Sequence, residues 1–380
     1  MSDMRNEFSI DQDLDIFRHS VERFLIDEMQ PRAEVWRKNH KIDRESWSAM
    51  GKMGLLGVGI PEHFGGSGGD IAYEAVLLEL VEKYIPEMSS CLAVHSSIVS
   101  HYLLNFASEE QKLRWLPKFS TGEMIGAVAM TEPDTGSDLR AIRTYAKKQG
   151  NAYLISGQKT FITNGQNADL IIVAAKSAEN QISLFIVETE EVIGFQRGRH
   201  LDKIGMDASD TSELYFDQVK VPQENILGNE GDGLKQLMMQ LPRERLTIAI
   251  AATSAIHRAI EITIEYAKER KTFGQRVIDN QHIAFVLADL KTEAFAAKAM
   301  IQHCIQLALQ DQFDSVTASM AKYWATERLG KVVDQCLQIH GGNGYMKEYA
   351  ISRMYVDARV LRIYGGTSEI MKLIIARSFL

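Results

Sequence analysis

Residues 129–138 read Ala129-Met-Thr-Glu-Pro-Asp-Thr-Gly-Ser-Asp138, an apolar strand end running into a tight turn. The turn presents Thr131, Gly136 and Ser137, whose hydroxyls and backbone N–H groups suit an anionic or carbonyl-rich ligand; an ordinary Pro-Asp turn has the same pattern. The segment marks a change of texture. Upstream, Leu14, Phe17, Val21, Phe24 and Leu25 recur at helical spacing. Trp47 to Leu56, Ile71 to Tyr84 (closed by Pro86), Leu92 to Phe106 and Glu109 to Phe119 continue the helical pattern. From Met124 to about Gln218 the apolar runs are short and β-branched: Ile125 to Met130, Ala152 to Ser156, Leu170 to Ala174, Ser183 to Val187 and Glu213 to Phe216. Turns such as Gly150-Asn, Asn164-Gly and Gly194 separate them, which predicts an antiparallel barrel or sandwich. From Gly233 onward long helices return over Arg245 to Arg270, Asn280 to Gln310, Ser315 to Ile339 and Thr367 to the end, predicting a bundle. The expected fold is therefore α+β and multidomain: a helical domain over 1–122, a β domain over 123–226 and a helical bundle over 227–380.

The 380 residues carry 42 Lys+Arg against 50 Asp+Glu, a net charge of −8, with 45% hydrophobic and 24% charged residues. That is ordinary globular composition, and the acidic balance argues against nucleic acid as a partner. No uninterrupted apolar run reaches bilayer length, so no membrane span is expected. Met1 to Asp15 is polar and acidic, which argues against a secretory signal. Cys91, Cys304 and Cys336 are few and far apart, with neither C-x-x-C nor H-E-x-x-H present, so no disulfide framework or metal site is expected. A reducing compartment is the simplest reading. Gly65-Gly-Ser67-Gly-Gly69 matches G-x-S-x-G but reads as a flexible loop, because four glycines in five residues do not hold a strained elbow. Neither a complete Rossmann glycine motif nor a P-loop is present.

Four further segments hold possible chemistry. Lys159-Thr-Phe-Ile-Thr-Asn-Gly165 is a strand carrying an aromatic and a hydroxyl. Lys268-Glu-Arg-Lys-Thr-Phe-Gly-Gln-Arg276 crowds cations round Phe273 at a helix end, where they either pair with phosphates or simply complement the helix dipole. Ile339-His-Gly-Gly-Asn-Gly-Tyr345 is a glycine cluster, and as plain structure a helix C-cap. Tyr364-Gly-Gly-Thr-Ser-Glu369 precedes the last helix, whose N-terminus suits a phosphate.

The five segments, in this order and with this texture, resemble the acyl-CoA dehydrogenase family of flavoproteins over essentially the whole chain. Within the family the chain is most similar to the long-chain enzymes, through Leu241-Pro-Arg-Glu-Arg-Leu246, Ala321-Lys-Tyr-Trp-Ala325, Tyr355-Val-Asp-Ala-Arg-Val360, Ile363-Tyr-Gly-Gly-Thr367 and Glu369-Ile-Met-Lys372. The resemblance implies an N-terminal helical domain, a middle β-barrel and a C-terminal four-helix bundle, assembled as a homotetramer with bound FAD. By matching motif positions, Met130, Thr131, Gly136 and Ser137 would line the flavin and pyrophosphate, and Phe161 and Thr163 the flavin ring. Arg270, Phe273, Gln281, Gln338, Gly341 and Gly342 would reach the FAD of a neighbouring subunit. Thr367 and Glu369 would contact the dinucleotide near the last helix.

Many family members place the catalytic carboxylate inside the C-terminal motif, as Tyr-Glu-Gly-Thr. Here that position is Gly365, which has no side chain to take a proton. Either the chain is inactive or the base comes from elsewhere. The isovaleryl- and long-chain branches place it before an Arg-Leu on the first long bundle helix, which implies Glu244 here; on composition alone Glu244 would read as a surface charge. Gly365 would still supply a backbone N–H to the thioester carbonyl. Ser137, Arg245, Tyr266 and Tyr364 would complete the acyl-CoA site, with Arg245 orienting CoA and Tyr266 lining the acyl pocket. Asp134-Thr135 departs from the usual Gly-Ala of its loop. Small residues at Ala93, Ser96 and Ser97 either give the pocket depth, which favours long chains with medium or branched chains second, or serve ordinary helix packing. The implied reaction is α,β-dehydrogenation of a fatty acyl-CoA in β-oxidation, with electron transfer flavoprotein as acceptor. A flavin oxidase, a dehydrogenase of carrier-protein thioesters and a non-catalytic flavin binder are the alternatives. The expected location is the bacterial cytoplasm or, second, the mitochondrial matrix.

Overall fold

A computed structural model describes residues 12–190 and 192–380. Most of the polar Met1 to Asp15 stretch lies outside them. Seven helices come first: α1 (Gln12–Phe24), α2 (Ala33–Asn39), α3 (Arg44–Lys52), α4 (Ile71–Tyr84), α5 (Pro86–Leu92), α6 (Ser100–Phe106) and α7 (Glu109–Thr121). Their ends follow local chemistry. Asp70 caps α4 by accepting from Ala72 N and Tyr73 N, Ser108 and Gln111 form a capping box on α7, and Gly122 closes α7 at φ 75°. The run read as one helix over Leu92 to Phe106 is instead α5 and α6 joined by a π-helical segment, Ala93–Val99. Periodicity alone does not register such wide turns.

Seven strands follow: β1 (Gly126–Ala129), β2 (Tyr145–Gln149), β3 (Ala152–Thr163), β4 (Leu170–Ala178), β5 (Gln181–Glu188), β6 (Phe195–His200) and β7 (Thr211–Pro222). They form one sheet in the order β1-β4-β2-β3-β7-β6, with β5 also on β4. The sheet is mixed rather than antiparallel throughout, because β4 pairs parallel with β1 and, at Lys176, with β2. The β2–β3 hairpin supplies the crossover that a parallel β1–β4 pair requires. β2 and β6 were not legible as strands: Tyr-Ala-Lys-Lys-Gln and Phe-Gln-Arg-Gly-Arg-His are polar, and β6 is held by its pairing with β7 and by Arg197 donating to Gly165 O and Ala168 O.

The last part of the chain holds α8 (Gly233–Glu269), the small hairpin β8 (Lys271–Thr272) and β9 (Gln275–Arg276), then α9 (Gln281–Leu309), α10 (Ser315–His340), α11 (Ala350–Asp357) and α12 (Ser368–Arg377). α8 starts twelve residues before the expected Arg245, running through Pro242. By length and composition α8 would cross a bilayer, but here its apolar face lies in the bundle core with Ile256, Ile260, Leu290, Ile301, Leu329 and Val333. Asn280, Asp314 and Thr367 cap α9, α10 and α12. A separate core lies among the N-terminal helices, and a third, including Phe119, Tyr102, Leu170 and Leu184, joins those helices to the sheet. The three cysteines are free and buried. Ser67 of the glycine loop donates to Gly54 O at 3.0 Å, so its hydroxyl is engaged with the backbone.

Candidate active site

Glu244 lies on α8 and is 6% exposed. Its Oε1 accepts a hydrogen bond from the Tyr102 hydroxyl at 3.1 Å. Burial pushes its carboxyl up to about 7, against the opposing pull of the Tyr102 hydrogen bond and the Arg245 charge. One turn further along the same face, Ile248 meets Gly365: a Cβ on Gly365 would stand 2.4 Å from Ile248 Cδ1. Gly365 has φ 64° and Gly366 φ 97°, a backbone path that glycine permits at little cost. Two buried cations hold this loop. Arg245 Nε donates to Gly365 O at 3.4 Å, its Nη1 reaches Ser315 and Ser319 Oγ at 3.2 and 3.3 Å, and Lys322 Nζ donates to Gly366 O at 2.7 Å. Burial, aided by Arg245, lowers the Lys322 ammonium to about 8. Among the described residues the Gly365 N–H donates to no protein acceptor. A buried base, a free backbone donor and an ordered loop thus converge.

The 130–137 turn lies beside β3, where Thr160 N donates to Thr131 O at 3.0 Å. Its shape is fixed by a buried pair. Lys159 Nζ donates to Glu132 Oε1 at 2.8 Å and to Met130 O at 3.0 Å, while Thr144 N and Arg143 N donate to the Glu132 carboxylate at 3.0 and 2.5 Å. Burial brings the Lys159 ammonium down to about 8. Met130 and Thr131 are half-buried, and Gly136 and Ser137 exposed. Phe161 sits at φ 58°, 67% exposed, where the β3–β7 register shifts between Lys159 and Ile162. An aromatic presented at a left-handed bulge beside an open turn fits a flat ring, and Gly136, with nothing within 4 Å of a Cβ position, leaves room for phosphates. Thr163 completes this edge of β3. Thr367 Oγ1 accepts from Ile370 N at 3.3 Å as the α12 cap, with Glu369 exposed in the first turn.

The remaining flavin-site residues gather elsewhere. Arg270 lies just past α8, about seven turns and roughly 39 Å from Glu244 along the helix. Phe273 on the β8–β9 turn is fully exposed, and Gln281, Gln338, Gly341 and Gly342 at the adjoining ends of α9 and α10 are exposed. Cβ positions on Gly274, Gly341 and Gly342 meet open space. Tyr266 belongs to this end: its hydroxyl donates to His340 O at 3.0 Å and accepts from Asn343 Nδ2 at 3.1 Å, and its ring stacks on His340. It lies about six turns, roughly 33 Å, from Glu244 along one rigid helix.

Tyr364 borders a cavity of about 60 Å³, room for a few waters, between α4, α5, α8 and α11. Glu82, Ser89, Ser90, Ala251 and Ala255 line it, whereas Ala93, Ser96 and Ser97 do not. Burial pushes the Glu82 carboxyl up to about 8 and raises the Tyr364 phenol. Tyr102, Glu132, Lys159 and Lys322 were not legible as site residues. Glu132 and Lys159 lie in segments singled out for other residues, and Lys322 in a stretch that carries the resemblance, but none of these pointed to the side chain itself.

Comparison with known proteins bears on the family. Family models described as acyl-CoA dehydrogenase N-terminal, middle and C-terminal domains match residues 11–123, 127–219 and 231–380. The mitochondrial long-chain specific acyl-CoA dehydrogenase of Sus scrofa is 46% identical over 96% of this chain and 85% of its own length. The solved acyl-CoA dehydrogenase of Geobacillus kaustophilus is 42% identical with a TM-score of 0.95, covering 98% of this chain and 99% of its own. The acyl-CoA dehydrogenase of Bacillus anthracis, solved in complex with FAD, is 31% identical with a TM-score of 0.94, covering 98% of this chain and 67% of that one. The chain belongs to the acyl-CoA dehydrogenase family, a family of FAD-dependent oxidoreductases.

Proposed function

We propose that this protein binds FAD and dehydrogenates a fatty acyl-CoA to the trans-2-enoyl-CoA, with Glu244 as the base. The observation that carries this reading is a buried glutamate, poised at about 7, on the helix face that meets Gly365. The α-proton of a thioester is a weak acid, so a base must be strengthened and the developing enolate charge stabilised. Glu244 gains basicity from burial, and the unpaired Gly365 N–H donates where the thioester oxygen becomes negative. Arg245 and Lys322 keep that N–H in place by holding the carbonyls of the same loop. Glu244 would take the α-proton, and bound FAD would supply the acceptor for the β-hydride, leaving the 2,3 double bond.

Met130, Thr131, Gly136, Ser137, Phe161, Thr163, Thr367 and Glu369 would hold the cofactor near the N-terminal half of α8, which carries Glu244. Arg270, Phe273, Gln281, Gln338, Gly341 and Gly342 lie at the opposite end of α8. They would serve the cofactor of another copy, which supports the homotetramer and makes assembly a condition for FAD binding. Ser137, Arg245 and Tyr364 would contact the substrate. The division at 122/123 and 226/227 goes with this reading, as do electron transfer flavoprotein as acceptor and a cytoplasmic location.

Similarity to the long-chain specific enzyme of Sus scrofa supports a long straight chain and a place in β-oxidation. Anaerobic addition of acyl-CoAs of graded length, watched at the flavin band, tests the proposal. Bleaching at lowest concentration by long chains supports it, and a peak at four carbons overturns the chain length. No bleaching by any acyl-CoA, with flavin bound, overturns the assignment and moves carrier-protein thioesters ahead.

A further inference from the structure

We infer that Tyr102 is a positioning residue for Glu244, its hydroxyl fixing the carboxyl so that one oxygen is tied and the other faces the substrate. The inference rests on the reading of Glu244 as base. Tyr102 is fully buried on α6, and its hydroxyl donates to Glu244 Oε1 across 142 residues of sequence. Glu244 Oε2 accepts from no protein donor among the described residues, yet it is not one of the sealed, unpaired polar atoms. The carboxyl therefore has one anchored oxygen and one open one, as a general base held in register requires.

The placement of Tyr102 is itself enforced. Its neighbour His101 and Glu244's neighbour Arg243 both bind the buried Glu74 carboxylate of α4, at 2.8 and 2.6 Å. Gly59 presses on that carboxylate so closely that a Cβ would stand 1.8 Å from Oε1. Adjacent residues on α6 and α8 are thus locked twice at one level, once through Glu74 and once through the Tyr102–Glu244 hydrogen bond. The π-helical segment just before α6 turns the downstream face relative to the upstream one, and this is the face that brings Tyr102 to α8. The groups that act on the Glu244 carboxyl are Tyr102 from α6 and Arg245 from α8 itself, and beyond them stands the Glu74, His101 and Arg243 cluster.

Tyr102→Phe removes the donor and keeps the ring. The acid limb of kcat/KM should move up by about one pH unit, because the ionised carboxylate loses a hydrogen bond. In the same variant kcat should fall several-fold while KM for acyl-CoA barely changes. Tyr102→3-fluorotyrosine, introduced at that one position, makes the phenol a stronger donor and should move the limb down. This second replacement also serves if the Phe variant does not fold. Limbs that coincide with the parent's, while Glu244→Gln is inactive, overturn the inference and leave the base assignment standing. A Glu244→Gln enzyme of near-normal activity overturns both.

Discussion

Burial of Glu244 makes a prediction about rate and another about stability. With the carboxyl at about 7, the ionised fraction rises from about a tenth at pH 6 to about nine-tenths at pH 8, so kcat/KM should rise roughly tenfold over that range. A glutamate at its ordinary value of 4.5 would be almost wholly ionised at pH 6 and give a flat profile. The assay is kcat/KM for one acyl-CoA, with an artificial electron acceptor in excess, from about pH 5.5 to about pH 9. Glu244→Gln keeps the shape of the side chain and should retain flavin while losing about a thousandfold in kcat. The stability effect has a definite sign. The folded-state value lies above the unfolded one, so the glutamate's contribution is fully present below about 4.5 and is lost as pH rises through about 7. The shift corresponds to a cost of order 3 kcal/mol at pH 8, which Glu244→Gln removes. The variant should therefore melt higher than the parent at pH 8 and lose that advantage near pH 5. A flat parent profile between pH 6 and pH 9, or a Gln variant that melts no higher at pH 8, would refute the buried-base argument.

Gly365→Ala, placed at φ 64° against Ile248, should bind flavin normally yet lose most turnover, and unchanged kcat would show that the loop tolerates a Cβ. His95 accepts from Gly126 N at 3.0 Å through Nδ1 and lies 3.1 Å from Phe119 O through Nε2, and burial lowers it to about 4. Its stabilising contribution should be complete above about 6.5 and lost as pH falls through about 4; a urea midpoint that does not fall along that path counts against the buried neutral imidazole. Phe273→Ala removes a fully exposed aromatic and should leave the melting of the flavin-free protein unchanged while the flavin is lost more readily on dilution. Flavin retention equal to the parent's would remove Phe273 from the cofactor site.

The order of helices, strands and helices was legible because capping, glycine stops and apolar periodicity act within a few residues. Asp70, Ser108 with Gln111, Asn280 and Thr367 mark their helices almost to the residue. The parallel pairing of β4 with β1 was not legible, because strand partners are chosen by the whole sheet rather than by any one strand. The site depended on tertiary structure still more. Beside two arginines, Glu244 reads as a surface charge, and only the packing of α6 and Gly365's loop against α8 buries it. Tyr102 had no assigned role in the sequence, and its role lies in one hydroxyl that meets a partner 142 residues away. Tyr266 shares a helix with Glu244, but the 1.5 Å rise per residue carries it to the other end of the bundle. Sequence determined the elements through short-range chemistry, whereas tertiary structure decided the base, because a carboxyl's proton affinity depends on what excludes water from it.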